Sequence, residues 1–209
     1  MADEMKGYVS RRSLQGSSEG QWPYASANKR GELVVVNFMA QMAMDQRGYQ
    51  VKAGTITAPL TGDIAVTDAA AEMTADAALG TTIIPVYLNA ILESFAGATL
   101  PEIWAKSVAA VSTAGTVFVP LPLYTGGVAS ASTARVQAAG SCTVAAELAT
   151  TTRAHFGNMV TAQGDGILAD HYFLETPTLA GPACFYVQVA ATAAGPVYFA
   201  HFDYLELPT

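Results

Sequence analysis

A two-residue alternation from Gly80 to Phe95 constrains the fold of this chain more than any other stretch. One face of the run is apolar at every second position and consists of Ile84, Val86, Leu88, Ala90 and Leu92. This period is that of a β-strand with one face in a core. Pro85 argues against the rival helix, because proline lacks the N–H that a helix interior uses. The same missing N–H places Pro85 at a sheet edge or at a β-bulge.

Similar alternation recurs along the chain and predicts about eight to ten strands with little helix. Besides the strand in Gly80 to Phe95, the candidate strand segments, two of which keep another reading, are Leu33–Val36, Tyr49–Ala53, Asp63–Thr67, Asp68–Leu79, Ile103–Val111, Thr116–Tyr124, Cys142–Ala149, Ile167–Glu175, Cys184–Ala191 and Val197–Leu207. Asp68–Leu79 also suits a helix, because it is rich in alanine and places Glu72 four residues before Asp76. Its alternation favours a strand that runs into a turn at Gly80.

Proline and glycine add three local predictions. Pro120 and Pro122 remove every second N–H of their segment, which favours an edge strand or an extended arm on another surface. The Gly195-Pro196 turn predicts a hairpin between the last two strands. Apolar residues at helical spacing predict one short helix, Phe38–Arg47, capped by Gly48.

These elements predict an all-β fold, a β-sandwich or jelly roll, with one short helix. Residues 32–209 are expected to form a single domain, because nothing in the middle of the chain resembles a linker. Residues 1–31 contain scattered Gly, Pro and Ser without sustained periodicity. We therefore expect an extended N-terminal arm.

The composition is apolar and poor in charge. Of the 209 residues, 51% are hydrophobic and 13% are charged, about half the usual charged share of a soluble domain. No apolar run approaches the ~18 residues of a membrane-spanning helix, so no membrane is expected. Such a chain is expected to bury surface against other subunits.

The amino terminus and the cysteines suggest where the chain is made. MADEMKGYVSRRSLQ has acidic residues and lacks the apolar segment of a secretory signal, so synthesis in a cytoplasm is expected. Cys142 and Cys184 lie far apart in apolar segments. In that compartment, buried free thiols are favoured over a disulfide.

The net charge of −7 is unevenly distributed. Residues 1–52 carry seven basic and five acidic side chains, a balance of +2, whereas the remainder carries three basic and twelve acidic ones, a balance of −9. The arm therefore suits an acidic partner or a neighbouring subunit, although a solvated tail fits the same charges. The candidate partner-binding residues are Arg11, Arg12, Trp22, Tyr24, Lys29 and Arg30. The two aromatics among them suit either a neighbour or the chain's own domain.

No motif in the sequence predicts catalysis. Residues 16–20 match G-x-S-x-G around Ser18, but their polar flanks favour a flexible segment over a nucleophile elbow. Asp170-His171 is a candidate for a catalytic or metal site, yet the three histidines lack the spacing of metal ligands. A pair of carboxylates distant in sequence stays open as a glycosidase site. We expect no enzyme, metal or cofactor, and the acidic body disfavours nucleic acid.

Several segments follow one another in a recognisable order. They are the arm, LVVV before a short apolar helix, KAGTITAPLTG, GTTIIPVYLNAILESFAG, and a C-terminal segment that ends in FDYLELP. This order resembles small all-β virion proteins of tailed bacteriophages, in particular trimeric capsid decoration (cement) proteins with jelly-roll cores. The resemblance implies a homotrimer on the outer surface of the virion, bound to the major capsid protein and without catalytic residues.

The alternative is a carbohydrate- or receptor-binding β-sandwich of a phage tail fibre or spike. Its candidate residues are the aromatics Trp22, Tyr87, Trp104 and Tyr198. Such rings stack on sugars when they are exposed and belong to the core when they are buried.

Overall fold

The computed structural model describes residues 38–66, 69–94, 100–137, 141–145, 151–159, 166–173, 177–191 and 195–208. Within these ranges the fold is nearly all β, as predicted, and the helix is α1 (Phe38–Met44). The strands are β1 (Gly48–Ala53), β2 (Leu60–Thr61), β3 (Ala70–Ala71), β4 (Met73–Ala77), β5 (Thr81–Ser94), β6 (Glu102–Val108), β7 (Thr116–Phe118), β8 (Leu121–Pro122), β9 (Thr133–Val136), β10 (Cys142–Thr143), β11 (Thr152–Met159), β12 (Ile167–Tyr172), β13 (Leu179–Ala180), β14 (Ala183–Ala190) and β15 (Val197–Pro208).

Two large antiparallel sheets form a sandwich. The seven-stranded sheet has the order β12-β5-β15-β1-β8, with β13 paired to β5 and β2 paired to β15. The six-stranded sheet has the order β11-β6-β14-β4-β9-β7. Their inner faces share one core, in which Phe185 and Phe202 meet edge to face with ring centroids 5.2 Å apart. Jelly-roll connectivity stays a prediction.

A third, small layer covers the outer face of the six-stranded sheet. Strands β3 and β10 pair with each other, and Ala71, Cys142 and Val144 pack on Cys184 and Tyr186. Strand β14 is therefore buried at every position along its length. Both cysteines are buried free thiols.

The long strand β5 confirms the principal sequence prediction with one correction. Its inward positions are odd-numbered up to Pro85 and even-numbered from Leu88 onward. The reason is a β-bulge at Val86, because Pro85 pairs with Tyr204 and Tyr87 pairs with Asp203. Pro85 is thus at a bulge, as predicted, whereas the continuous apolar face through Ile84 and Val86 is wrong.

The predicted hairpin between the last two long strands is wrong. Strand β14 pairs with β4 and β6, whereas β15 pairs with β5, β1 and β2, so the two strands lie in different sheets. A Gly195-Pro196 turn therefore joins layers here instead of neighbouring strands. Strand β14 pairs with β6 on one side and β4 on the other, and both of its faces are buried.

The helix ends earlier than predicted. Met44 is its last residue, and Gln46 adopts a left-handed φ of 59° where Gly48 was expected as the cap. Arg47 N–H donates to the Met42 carbonyl and Gln46 N–H donates to the Ala43 carbonyl, each at 2.9 Å. These are the two hydrogen bonds of a Schellman motif.

The remaining strand predictions have mixed outcomes. The described part of Asp68–Leu79 contains the strands β3 and β4, and Thr116–Tyr124 contains the edge strands β7 and β8. Asp63–Thr67 is wrong as far as residue 66, since Asp63 makes only an isolated bridge to Ala190. Strands β2, β9, β11 and β13 were not predicted. The arm, residues 1–31, and the run Leu33–Val36 lie outside the described residues.

Candidate interaction surfaces

The predicted partner-binding residues lie in the arm, outside the described residues. These are Arg11, Arg12, Trp22, Tyr24, Lys29 and Arg30, and Ser18 of the G-x-S-x-G match lies there too. Their roles stay predictions. The described residues present two surfaces that are suited to binding a partner or ligand.

The first surface is an apolar edge segment, formed by Val117, Val119, Leu121, Leu123 and Tyr124. It links β7, the last strand of the six-stranded sheet, to β8, the last strand of the seven-stranded sheet. Its exposure runs from 37% at Leu123 to 69% at Val119. The alternation predicted here is real, but the aliphatic side faces solvent while Phe118 packs on the core. A contiguous exposed apolar patch is typical of an interaction site.

The backbone of this segment is poorly suited to extending a sheet. Pro120 and Pro122 have no N–H, so a further strand cannot form a continuous ladder along it. Prolines at sheet edges protect proteins from open-ended strand addition. A partner on the apolar edge segment is therefore held mainly by side-chain packing.

The second surface is the open face, defined as the outward side chains at the centre of the seven-stranded sheet. Its residues are Gln50, Lys52, Tyr87, Asn89, Asp170, Tyr172, Phe199, His201 and Asp203. The register aligns all of them except Phe199 in two rows across four strands, Tyr172-Tyr87-Asp203-Gln50 and Asp170-Asn89-His201-Lys52. No described strand covers this face.

The side chains of the open face fix one another in position. Tyr87 and Tyr172 have ring centroids 4.5 Å apart, and the His201 ring lies 5.7 Å from the Tyr87 ring. The Tyr87 hydroxyl donates to Asp170 Oδ1 at 2.8 Å, and Gln50 Nε2 donates to Asp203 Oδ1 at 2.9 Å. Burial, and then the hydrogen bond to Asp170, raise the pKa of Tyr87. Burial also raises the pKa of Asp203, against the hydrogen bond from Gln50.

A shallow depression of about 340 Å³ lies at one side of the open face. Its floor includes Lys52, Phe199 and His201, and its wall is the turn from Thr55 to Ala58. Thr55 N–H donates to the Ala58 carbonyl at 3.0 Å, and this hydrogen bond closes the turn. The open face thus combines aromatic rings, amides and carboxylates beside a recess.

The outer face of the six-stranded sheet differs from the open face, because its acidic side chain, Asp76, is buried and accepts hydrogen bonds through both oxygens. Asp76 accepts from Ser112 N–H at 2.8 Å through Oδ1 and from Ser112 Oγ at 2.7 Å through Oδ2. Ser112 Oγ also contacts Thr74 Oγ1 at 2.9 Å. The two residues are 36 positions apart, so this contact ties the loop after β6 to β4. Asp76 is therefore a structural residue.

Glu72 is a second buried acid, located at the break between β3 and β4. Its Oε2 accepts from Val189 N–H at 2.8 Å and its Oε1 accepts from Asp63 N–H at 3.3 Å. Burial raises its pKa to about 8, although these backbone hydrogen bonds act in the opposite direction. Glu72 links three chain segments inside the fold and is not accessible to a ligand.

The sequence candidates for chemistry are separated by the fold. Asp170 faces outward, whereas the next residue, His171, packs between Phe156 and Phe173 with centroid distances of 4.3 and 4.9 Å. His155 Nε2 hydrogen-bonds Ser107 Oγ at 2.7 Å, and burial lowers its pKa. Asp170 and His171 thus form no joint site, because adjacent strand residues point to opposite faces.

The aromatics proposed for sugar binding have different outcomes. Tyr198 is fully buried, so it is wrong as a ligand contact. Trp104 is half-buried and engaged by its own strand, with its Nε1 donating to Glu102 Oε2 at 2.9 Å and Lys106 Nζ 5.5 Å from its ring centroid. Tyr87 lies on the open face, and Trp22 is outside the described residues.

The described ranges hold no group of three or more His, Cys, Asp or Glu side chains arranged to bind a metal ion. No helix among them is long and apolar enough to cross a membrane.

No protein-family model, curated protein or solved structure matches this chain. The resemblance to phage decoration proteins therefore stays a prediction, and the case for a function comes from the two surfaces.

Proposed function

We propose that this chain is a non-enzymatic structural protein that assembles with copies of itself on the outer surface of a phage capsid. The assembly is a homotrimer, and it acts as a decoration protein bound to the major capsid protein. The exposed apolar edge segment is the observation that carries this proposal. It supplies a surface on which copies of the chain can bury apolar area.

The energetics favour burial of the apolar edge segment. Full burial of an exposed Val or Leu contributes roughly 1.5–3 kcal/mol, and the segment has four such residues at alternate positions. They are 37–69% exposed, so each gains only part of that amount. Association itself costs at least several kcal/mol, so one such contact is weak. A closed ring uses the segment in every subunit, and it also hides one edge of each sheet, β7 in the six-stranded sheet and β8 in the seven-stranded sheet.

The arm completes the proposal. Arg11, Arg12, Lys29 and Arg30 are proposed to contact an acidic surface of the shell, with Trp22 and Tyr24 as anchors. Three arms on one trimer act at high effective concentration once the first has bound. Weak individual contacts then sum to stable attachment.

Multi-angle light scattering of the full chain tests the assembly step. We expect wild type to form a discrete oligomer with the mass of a trimer. Val119→Asp should shift it to monomer, because a charge in the contact would be desolvated. Ile64→Asp is the matched control, since Ile64 is an exposed aliphatic residue outside the segment, and it should leave the mass unchanged. A wild-type monomer at high micromolar concentration would overturn the proposal.

The attachment step has a separate test. Electron microscopy of the virion that carries this protein should show it on the outer shell. Removal of residues 1–31 should abolish attachment while the trimer persists. Attachment that survives this deletion would remove the arm from the proposal and leave the oligomer intact.

A further inference from the structure

The open face has a composition that the assembly role does not require. A surface that needs only solubility would carry flexible charged side chains, whereas this one carries aromatic rings and side chains with planar polar groups in register. Tyr172 is 62% exposed at the end of one row, although it lies directly beside Tyr87. An exposed aromatic ring held in place by a second ring offers a rigid apolar platform at low entropic cost.

The polar groups around this platform are positioned in advance. Tyr87 orients Asp170 and Gln50 orients Asp203, and each of these hydrogen bonds occupies one carboxylate oxygen. The other oxygen of each carboxylate can accept a hydrogen bond from a ligand hydroxyl. Asn89 and Lys52 lie in the second row and supply donors. Aromatic planes flanked by acceptors and donors match the alternating apolar and hydroxyl faces of a sugar ring.

The charge of the open face selects among ligands. It holds two carboxylates and one lysine, a formal balance of one negative charge. Phosphate-bearing and other anionic ligands are therefore disfavoured. The four strands of a row span about 14 Å at the usual spacing between neighbouring strands. This width fits a short chain of sugars better than a single one.

We propose that the open face binds a neutral oligosaccharide, with Tyr172 and Tyr87 stacking on sugar rings and Asp170 and Asp203 accepting from hydroxyls. This site goes beyond the assembly role and does not use the apolar edge segment. It would let an assembled particle adhere to a glycan surface while its subunits contact one another elsewhere.

Isothermal titration of the full chain with maltohexaose, cellohexaose, chitohexaose and mannohexaose tests the proposal. At least one of the four should bind saturably. Tyr172→Ala should weaken that binding about tenfold, because it removes a stacked ring. Asp170→Asn keeps an acceptor for the Tyr87 hydroxyl, and should weaken binding less. A hyaluronan hexasaccharide, which is anionic, should bind more weakly than the neutral sugar.

Tyr124→Ala is the matched control. Tyr124 is an exposed tyrosine of the apolar edge segment, so its loss should weaken assembly and leave sugar binding unchanged. Tyr172→Ala should do the reverse and leave the oligomer mass unchanged. Failure of all four sugars to bind, or equal loss of binding in the two variants, would overturn the site. A change of oligomer mass in Tyr172→Ala would assign the open face to contact between copies instead.

Discussion

The outer face of one sheet is covered by other strands of the chain, whereas the outer face of the other sheet is exposed. The six-stranded sheet is covered by β3 and β10, and its outward Cys184 and Tyr186 are fully buried. The seven-stranded sheet keeps Tyr172 and Asp170 exposed on a surface that no described strand covers. The covered face carries its polar groups in closed internal contacts, whereas the open face carries them beside solvent. Stability is therefore expected to depend on the first face and binding on the second.

A pair of tyrosines gives the largest expected difference between the faces. Tyr186→Ala should destabilise the protein by about 3–5 kcal/mol, because it opens a cavity between the six-stranded sheet and its cover. Tyr172→Ala should cost about 0.5–1.5 kcal/mol, because it removes only the contact between an exposed ring and Tyr87. Urea denaturation of both variants measures the two values. Equal losses would contradict the assignment of a covered face and an open face.

A pair of aspartates sharpens the comparison for polar groups. Asp76→Ala should cost about 2–3 kcal/mol, because Ser112 loses both of its hydrogen bonds to a buried charged acceptor. Asp170→Ala removes an exposed hydrogen bond from Tyr87 and should change stability by less than about 0.5 kcal/mol. The same denaturation experiment measures both, and the opposite ranking would show that Asp76 is not a structural tie.

The pH dependence of stability isolates Glu72. Burial raises its pKa from 4.5 to about 8, so between these values the folded protein keeps a proton that the unfolded chain releases. The contribution of Glu72 to the free energy of unfolding is complete below the pKa of the unfolded chain. It falls as the pH rises above that value, by up to about 1.4 kcal/mol per pH unit. Glu72→Gln cannot ionise and should lack this loss.

The difference between wild type and Glu72→Gln is the quantity to measure across that pH window. His155, whose pKa is lowered by burial, contributes a slope of opposite sign near and below its unfolded value of 6.5. It is present in both proteins and cancels. Parallel stability curves would mean that Glu72 does not titrate inside the fold.

Much of the fold was accessible from local sequence patterns. Alternation identified β1, β5 and β15, and the prolines of Thr116–Tyr124 identified sheet edges, because these signals act within a few residues. Local patterns could not predict which strands pair with each other. The wrong hairpin shows this, since the turn at Gly195-Pro196 looks the same whether it joins neighbours or layers.

The candidate surfaces could be predicted only in part from the sequence, because they depend on the register between distant strands. Tyr87 and Asp170 were singled out separately, but only the pairing of β12 with β5 places them on one face beside Tyr172. The bulge at Val86 reversed the parity of β5 without any signal beyond Pro85. The burial of Asp76 depends on Ser112, 36 residues away, so no local pattern could indicate it.

Hydroxyl-radical footprinting at low and high protein concentration tests the central claim most directly, because three tyrosines report on three regions. We predict that Tyr124 becomes protected as the concentration rises, that Tyr172 stays reactive, and that Tyr186 is protected throughout. Protection of Tyr172 with Tyr124 left reactive would contradict the account, since copies of the chain would then meet through the open face.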